Sequence, residues 1–437
     1  MSSTVTRQGP RRIAALLLSA AGLTISVTSH AVTGKVFLMG GAVAQTNASI
    51  YDALRAATGK DWSPNTSSYS NCSTDWTVTA CPRVAVVTSG AIDLATGDDV
   101  FINDDPATGT LSYYNLFQKW GFSPKHLELA IDNAAQGAYP NNPVGDANIA
   151  IINSADVIFF NGGDQSRHAA AWLTTNGADT PIMTALRARY AAGAVVSGTS
   201  AGTAIQGSPT HGEGTSYGYL YYNADLAPKL VGSPTGLRDD RSGLSGFRYN
   251  HNGGKMTGFG FIDNAAVDTH FDARGRMGRL IAALRNVGKS VGYGVGEDTA
   301  FYVNGDVGKV YGTNEVFVVD ESTASFPPSV YFTATGVTVS VLTAGDTYGF
   351  STKAVTSSKP LIPSPYYSGH YDSNAIFDPY ETTKSLTRLV DQVDGYNRGT
   401  TQEKKPQFSV KFYKNGNTKG YYGNGRYTVV KALVDIY

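Results

Sequence analysis

Four short apolar runs, each ending in a Gly- or Ser-rich turn and each followed by a helical pattern, constrain this chain more than anything else in it. They are residues 35–39, 83–88, 157–160 and 194–197. Runs that are apolar at nearly every position suit strands covered on both faces, as in a parallel sheet. Helical spacing lies between them at 49–57, 112–120, 146–154 and 182–191. Such alternation predicts a doubly wound, mostly parallel α/β sheet whose ligands sit at the carboxyl ends of the strands. The turns Gly40-Gly41, Ser89-Gly90, Gly162-Gly163 and the corner after residue 197 all fall at those ends.

That last corner reads Gly198-Thr199-Ser200-Ala201-Gly202. A strand turning sharply into a helix lifts the corner side chain clear of the backbone, and small neighbours let the two elements pass that closely, hence G-x-S-x-G. The helix that follows turns its partial positive end toward any oxyanion forming beside the serine. Five-residue matches also arise by chance, and the plain alternative is an inert strand–helix turn.

A hydroxyl at its ordinary pKa is a weak nucleophile, so Ser200 needs a base. His270 stands in Val267-Asp268-Thr269-His270-Phe271, just ahead of Arg274, Arg276 and Arg279. Arginine forks grip carboxylates with paired hydrogen bonds, so the cluster suits an anionic substrate. The competing reading is a solvated basic helix start beside a loop histidine. His168, His211 and His251 are rival bases without comparable neighbours.

The remaining features bound the class. At 437 residues, with 41% apolar and 16% charged residues, the chain suits one large or two medium domains. Residues 1–31 have the form of a secretory signal: Arg7, Arg11 and Arg12, an apolar run over 13–27, and Ser29-His30-Ala31 at the cleavage position. A run that short does not span a bilayer, so a secreted, extracellular or periplasmic product with no membrane association in its mature form is expected. Removal of the leader leaves 32 basic against 35 acidic residues and no basic stretch for nucleic acid. Cys72 and Cys81, close together in a polar stretch, read as a disulfide of an exported protein. Two ligands cannot close a zinc site, and no metal or cofactor is expected. From residue 322 onward the texture becomes β-like: 329–342, 407–413 and 426–437 alternate apolar and polar residues, Gly and Tyr grow frequent, and no assignable chemistry remains. The expected organisation is therefore a leader at 1–31, an α/β hydrolase domain at 32–321, and a β-rich region at 322–437.

Several motifs occur together and in order: Asn161-Gly162-Gly163-Asp164-Gln165, the serine corner, the stretch from Asp268 to Leu280, and Gly292-Tyr293-Gly294-Val295-Gly296-Glu297-Asp298-Thr299-Ala300. Across residues 35–320 they closely resemble the cyanophycinases, serine peptidases grouped with aspartyl dipeptidase, and the leader and long C-terminal region resemble their extracellular branch. The resemblance implies an α/β fold of the class I glutamine-amidotransferase-like or flavodoxin-like kind with a β-rich C-terminal extension. It implies an exported serine-type exopeptidase that degrades cyanophycin, a poly-aspartate bearing arginine on its side chains, to β-Asp-Arg dipeptides. An aspartyl-dipeptidase-like or other serine hydrolase on the same frame, or a non-catalytic exported binding protein, are the alternatives. Ser200 then matches the nucleophile and His270 the general base. Gln165 matches a residue holding the aspartyl unit, and Asp268, Arg274, Arg276 and Arg279 match the lining of the pocket. Thr269 stands where the family has Gln. The third triad member is expected between serine and histidine, at Glu213, with Asp225 and the pair Asp239–Asp240 as alternatives. The oxyanion donors are expected from Ala201 with Gly162 or Gly163. Asp268, or Glu297 with Asp298, would meet the substrate guanidinium. The assembly is left open, a homodimer included.

Overall fold

The computed structural model describes residues 34–60, 76, 81–208, 210, 214–223, 258–263 and 265–437. The expected leader at 1–31 and Cys72 lie outside the described residues, while Cys81 is buried just ahead of the second strand.

The chain is α/β, and it builds two sheets rather than the one expected. Five parallel strands form the heart of the first: β1 (Lys35–Met39), β2 (Arg83–Val87), β3 (Ser123–Leu127), β4 (Val157–Phe160) and β5 (Val195–Thr199). Their spatial order is β1-β5-β4-β2-β3. Three of the expected apolar runs are buried in it at every position but at most the first, and Val195–Thr199 at every position but the last. The missed member, β3, reads Ser-Pro-Lys-His-Leu, an edge strand whose proline and charged residues hide it from any apolar pattern.

The second sheet starts from β6 (Ala265–Thr269) and β7 (Val291–Val295), a parallel pair joined by the helix Met277–Val287. The chain then returns to the first sheet with β8 (Thr299–Asn304) and β9 (Val307–Gly312), antiparallel beyond β1. Next, β10 (Val316–Asp320) and β11 (Ala334–Leu342) extend the second sheet beside β7. β12 (Thr347–Gly349) and β13 (Ala354–Thr356) lengthen the first. β14 (Asp372–Ser373), β15 (Tyr396–Thr400), β16 (Ser409–Tyr413), β17 (Lys419–Gly423) and β18 (Arg426–Ile436) complete the second, with β18 seated on β11.

Residues beyond 322 are thus rich in strands but share both sheets with the residues before them. They also hold a helix, Glu381–Val390, that the sequence reading missed. Its buried stripe is Thr382, Ser385, Leu386, Leu389 and Val390, so its first turn is polar and the apolar residues are confined to its end.

Alternation along the strands sorts side chains into layers. Phe37, Met39, Val84, Val86 and Phe159 pack against the helices Ala48–Ala57 and Tyr113–Lys119 on one face of the first sheet. Val36, Leu38, Ile158 and Val196 turn the other way and share a core with Val267, Val295, Val316 and Val318 of the second sheet. The two sheets are therefore held together by apolar burial, and their carboxyl ends meet where the His270 amide donates to the Gly40 carbonyl (2.7 Å).

Candidate active site

Ser200 occupies the corner between β5 and the helix Ala201–Ala204, with φ 52° and ψ −116°. A positive φ is strained for a residue with a Cβ, and its surroundings enforce it. The Ser200 amide donates to the Met39 carbonyl (3.1 Å), and Thr203 Oγ1 ties that same carbonyl (2.7 Å) to the Gly198 carbonyl (2.6 Å). The flanking glycines are required by contact: a Cβ on Gly198 would lie 2.2 Å from the Gly202 carbonyl oxygen, and one on Gly202 2.2 Å from that of Phe160.

His270 follows β6 and also has a positive φ, 47°. Its Nε2 lies 2.7 Å from Ser200 Oγ, and its Nδ1 lies 2.7 Å from Glu297 Oε1. A carboxylate only accepts hydrogen bonds, so Nδ1 carries the proton and Nε2 is left to accept from the serine. Gly41, at φ 102°, lets β1's turn close over the ring; a Cβ there would stand 2.4 Å from it. The His270 side chain is 9% exposed. Burial holds its pKa below the ordinary histidine value, the bond to Glu297 opposes that shift, and the charges of Arg274 and Arg276 reinforce it.

The acceptor on His270 is therefore Glu297, not the expected Glu213. Glu213, Asp225, Asp239 and Asp240 lie outside the described residues, as do His211 and His251. Chain order misled the reading. A better signal was available in the βαβ unit: β6 and β7 are parallel with Thr269 opposite Val295, so residues just past their ends meet. His168 is no rival base, since it is buried between Ser89 Oγ (2.7 Å) and the Asn161 carbonyl (3.0 Å).

The expected substrate contacts divide into two groups. Asp268 is 0% exposed and accepts from Arg279 Nε (2.9 Å), Arg279 Nη2 (2.5 Å), Arg276 Nη1 (3.2 Å) and the Thr269 amide (2.8 Å). Arg279 also reaches the Gly214 carbonyl (2.8 Å), Arg276 the Thr269 carbonyl (2.6 Å), and Thr269 is buried in β6. These four residues brace the turn beneath His270 instead of facing outward. A buried carboxylate needs such partners, which is why they are held inside. Arg274, by contrast, is exposed beside His270. Asp298 is occupied as well, accepting from the Ala44 amide (2.9 Å), Asn47 (2.9 Å) and Thr313 (2.6 Å).

Gln165 opens the helix Gln165–Trp172, capped by Asp164, at the carboxyl end of β4. The preceding Gly162-Gly163 turn lies against the serine: a Cβ on Gly162 would be 3.6 Å from that of Ser200. Gly163 has φ 131° and abuts the Gly90 carbonyl. Ala201 is the first residue of the helix after Ser200, where an amide has no partner within the helix.

Residues 104–221 match the model of peptidase family S51. A cyanophycinase of Geminocystis herdmanii is 30% identical over 177 residues, 40% of this chain and 53% of that protein. One of Synechococcus elongatus is 26% identical over 280 residues, 61% of this chain and 73% of that protein. The match to the first of these spans about half of that relative's length. A solved peptidase from an acI-B1 Actinobacterium superposes with a TM-score of 0.44 at 14% identity, over 72% of this chain and 96% of that one. The S51 match includes Gln165 and Ser200; His270 and Glu297 join the site through geometry.

Proposed function

We propose that this protein is a peptidase of family S51, an exported serine-type hydrolase that cleaves the backbone of cyanophycin and releases β-Asp-Arg dipeptides. The observation that carries the reading is the continuous relay from Ser200 through His270 to Glu297, with both links at 2.7 Å on a strained corner. The likeness to cyanophycinases supports the choice of substrate. The order of the parallel strands around β2 and β4 supports a doubly wound, glutamine-amidotransferase-like frame. Export behind residues 1–31 and a Cys72–Cys81 disulfide belong to the same proposal.

His270, kept neutral by burial, takes the proton of Ser200 Oγ as that oxygen attacks the backbone carbonyl. The oxyanion is met by the amide of Ala201 and one from the Gly162-Gly163 turn; donors of this kind contribute about 3–4 kcal/mol each. Glu297 stabilises the imidazolium so formed, which then protonates the leaving amine. Water, deprotonated by His270, resolves the acyl-enzyme. Exposed Arg274 is placed to attract the free carboxylate that each polymer unit carries.

The test is dipeptide release from insoluble cyanophycin, with Asp-X dipeptides and p-nitrophenyl esters as comparison substrates. Ser200→Ala should abolish release and the clearing zone on a cyanophycin plate. Retained release ends the proposal, and turnover of only the comparison substrates reassigns the site to another hydrolase.

A further inference from the structure

His168 is fully buried at the Gly162-Gly163 turn, and the relay makes no use of it. Its Nε2 lies 3.0 Å from the Asn161 carbonyl and its Nδ1 2.7 Å from Ser89 Oγ, to which the Trp172 indole N–H donates (3.0 Å). A carbonyl only accepts, so Nε2 carries the ring proton. An indole only donates, so Ser89 turns its own proton toward Nδ1. Burial lowers the His168 pKa to about 4, which keeps the ring neutral, with a single N–H, at neutral pH. The hydrogen bonds therefore run one way, from Trp172 to Ser89, from Ser89 to His168, and from His168 to the Asn161 carbonyl.

That carbonyl belongs to the same trans peptide as the Gly162 amide, so whatever fixes one fixes the other. A donor on the carbonyl also polarises the peptide and strengthens its N–H. The oxygen lies against the nucleophile's helix as well: a Cβ on Gly202 would stand 2.7 Å from it. The turn is tied in addition to residues 88–90. Asn161 Oδ1 accepts from the Gly90 amide (3.0 Å), and the Gly90 carbonyl accepts from the Asp164 amide (3.0 Å). A Cβ on Gly163 would stand 2.2 Å from that Gly90 oxygen. His168 thus grips the turn through Asn161 and its support through Ser89. An apolar side chain could fill the same place beside Phe160 and hold neither.

We propose that His168 is a positioning residue for the oxyanion-binding turn, the chain from Trp172 through Ser89 to His168 fixing the Asn161–Gly162 peptide and aiming the amides that meet the developing negative charge. The inference rests on Ser200 being the reacting group, and it adds three side chains that act on the turn without touching substrate.

Phosphonylation of Ser200 by a fluorophosphonate is the test, because the probe's P=O oxygen takes the place of the oxyanion. His168→Leu should lower the maximal labelling rate about tenfold to a hundredfold, part of what deletion of an oxyanion donor costs, with the half-saturating probe concentration unchanged. His168→Gln, whose amide N–H can stand where Nε2 stood, should stay within about threefold of wild type. Ser89→Ala, which removes only the hydroxyl, should fall between them, at a loss of about fivefold or more. A histidine that merely fills the core would give equal maximal rates in every folded variant and move only the urea midpoint. That result overturns the assignment, as does a loss confined to the half-saturating concentration or no rescue by Gln. Should His168→Leu not fold, Ser89→Ala decides alone, and a smaller loss than stated overturns it. Wild type that takes no label overturns this inference together with the serine-hydrolase reading. Labelling that follows the expected order in a protein that leaves cyanophycin intact would sink the cyanophycin reading and keep His168 in its role.

Discussion

Replacing Glu297 by Gln separates the relay described here from one ordered by chain position. The carboxylate accepts the Nδ1 proton of His270 at 2.7 Å and is 27% exposed. Two unit charges about 4 Å apart interact by about 4 kcal/mol at an effective dielectric near 20, and partial exposure trims this toward ~3 kcal/mol. The imidazolium exists only while Ser200 is reacting, so the loss falls on kcat. At about 1.4 kcal/mol per decade, Glu297→Gln should slow turnover roughly 10²–10³-fold. A larger loss, toward ~10⁴, follows if the amide turns its NH₂ toward Nδ1 and imposes the wrong tautomer. Cyanophycin hydrolysis measures this directly, and the rate of fluorophosphonate labelling at Ser200 measures it without reference to substrate. Glu213→Gln is the control. Glu297→Gln within about threefold of wild type, with Glu213→Gln strongly impaired, would refute the reasoning.

Three further outcomes follow from the same geometry. Because burial and nearby arginines depress the His270 pKa, the base stays neutral from neutral pH to below the ordinary value near 6.5, and activity is lost only as pH falls through the depressed value. Arg274→Ala removes an opposing positive charge and should move that acid limb upward in kcat/KM, whereas Glu297→Gln should move it downward; shifts of the opposite sign contradict the assignment. Asp268→Asn leaves Arg279 and Arg276 without their buried counter-charge and should cost about 3–5 kcal/mol in urea unfolding; unchanged stability with a raised KM would return Asp268 to the substrate. Gly41→Ala drives a Cβ to within 2.4 Å of the His270 ring and should cut Ser200 labelling about 10²-fold with the fold retained by circular dichroism; undiminished labelling would mean the ring has room to spare.

The strands that carry Ser200 and Gln165 were legible because burial on both faces writes itself as unbroken apolar sequence. β1, β2, β4 and β5 fall within a residue or two of the runs read from sequence. The edge strand β3 was illegible for the opposite reason, having only one strand neighbour and a sequence of Ser-Pro-Lys-His-Leu. Ser200 could be read because its strained corner needs small neighbours on both sides, and His270 because a cluster of arginines follows it. Glu297 was visible as an acid but was given to the substrate, since the βαβ unit that sets β6 and β7 side by side was not read. The arginine cluster misled similarly: three arginines within six positions look like a ligand surface, yet burial of Asp268 turns two of them inward.

The residues past 322 gain a physical role from the same contacts. Gly275, three residues past Asp272 at the end of the Asp-Ala-Arg turn and at φ 55°, packs so closely on the Phe377 backbone that a Cβ would sit 1.7 Å from its carbonyl oxygen. Gly278 lies under the Phe377 ring, where a Cβ would stand 2.7 Å from the nearest ring atom. The Thr383 amide donates to Asp272 Oδ2 (2.8 Å), and the Tyr380 amide donates to the Asp272 carbonyl (3.0 Å). The turn that follows His270 is therefore clamped from outside by residues 377–383 and from beneath by Asp268 with its two arginines. A histidine at positive φ persists only where its surroundings over-determine it. Here part of that determination comes from a stretch carrying no catalytic group of its own, which explains why the strands beyond 322 join the sheets of the site instead of forming a body apart.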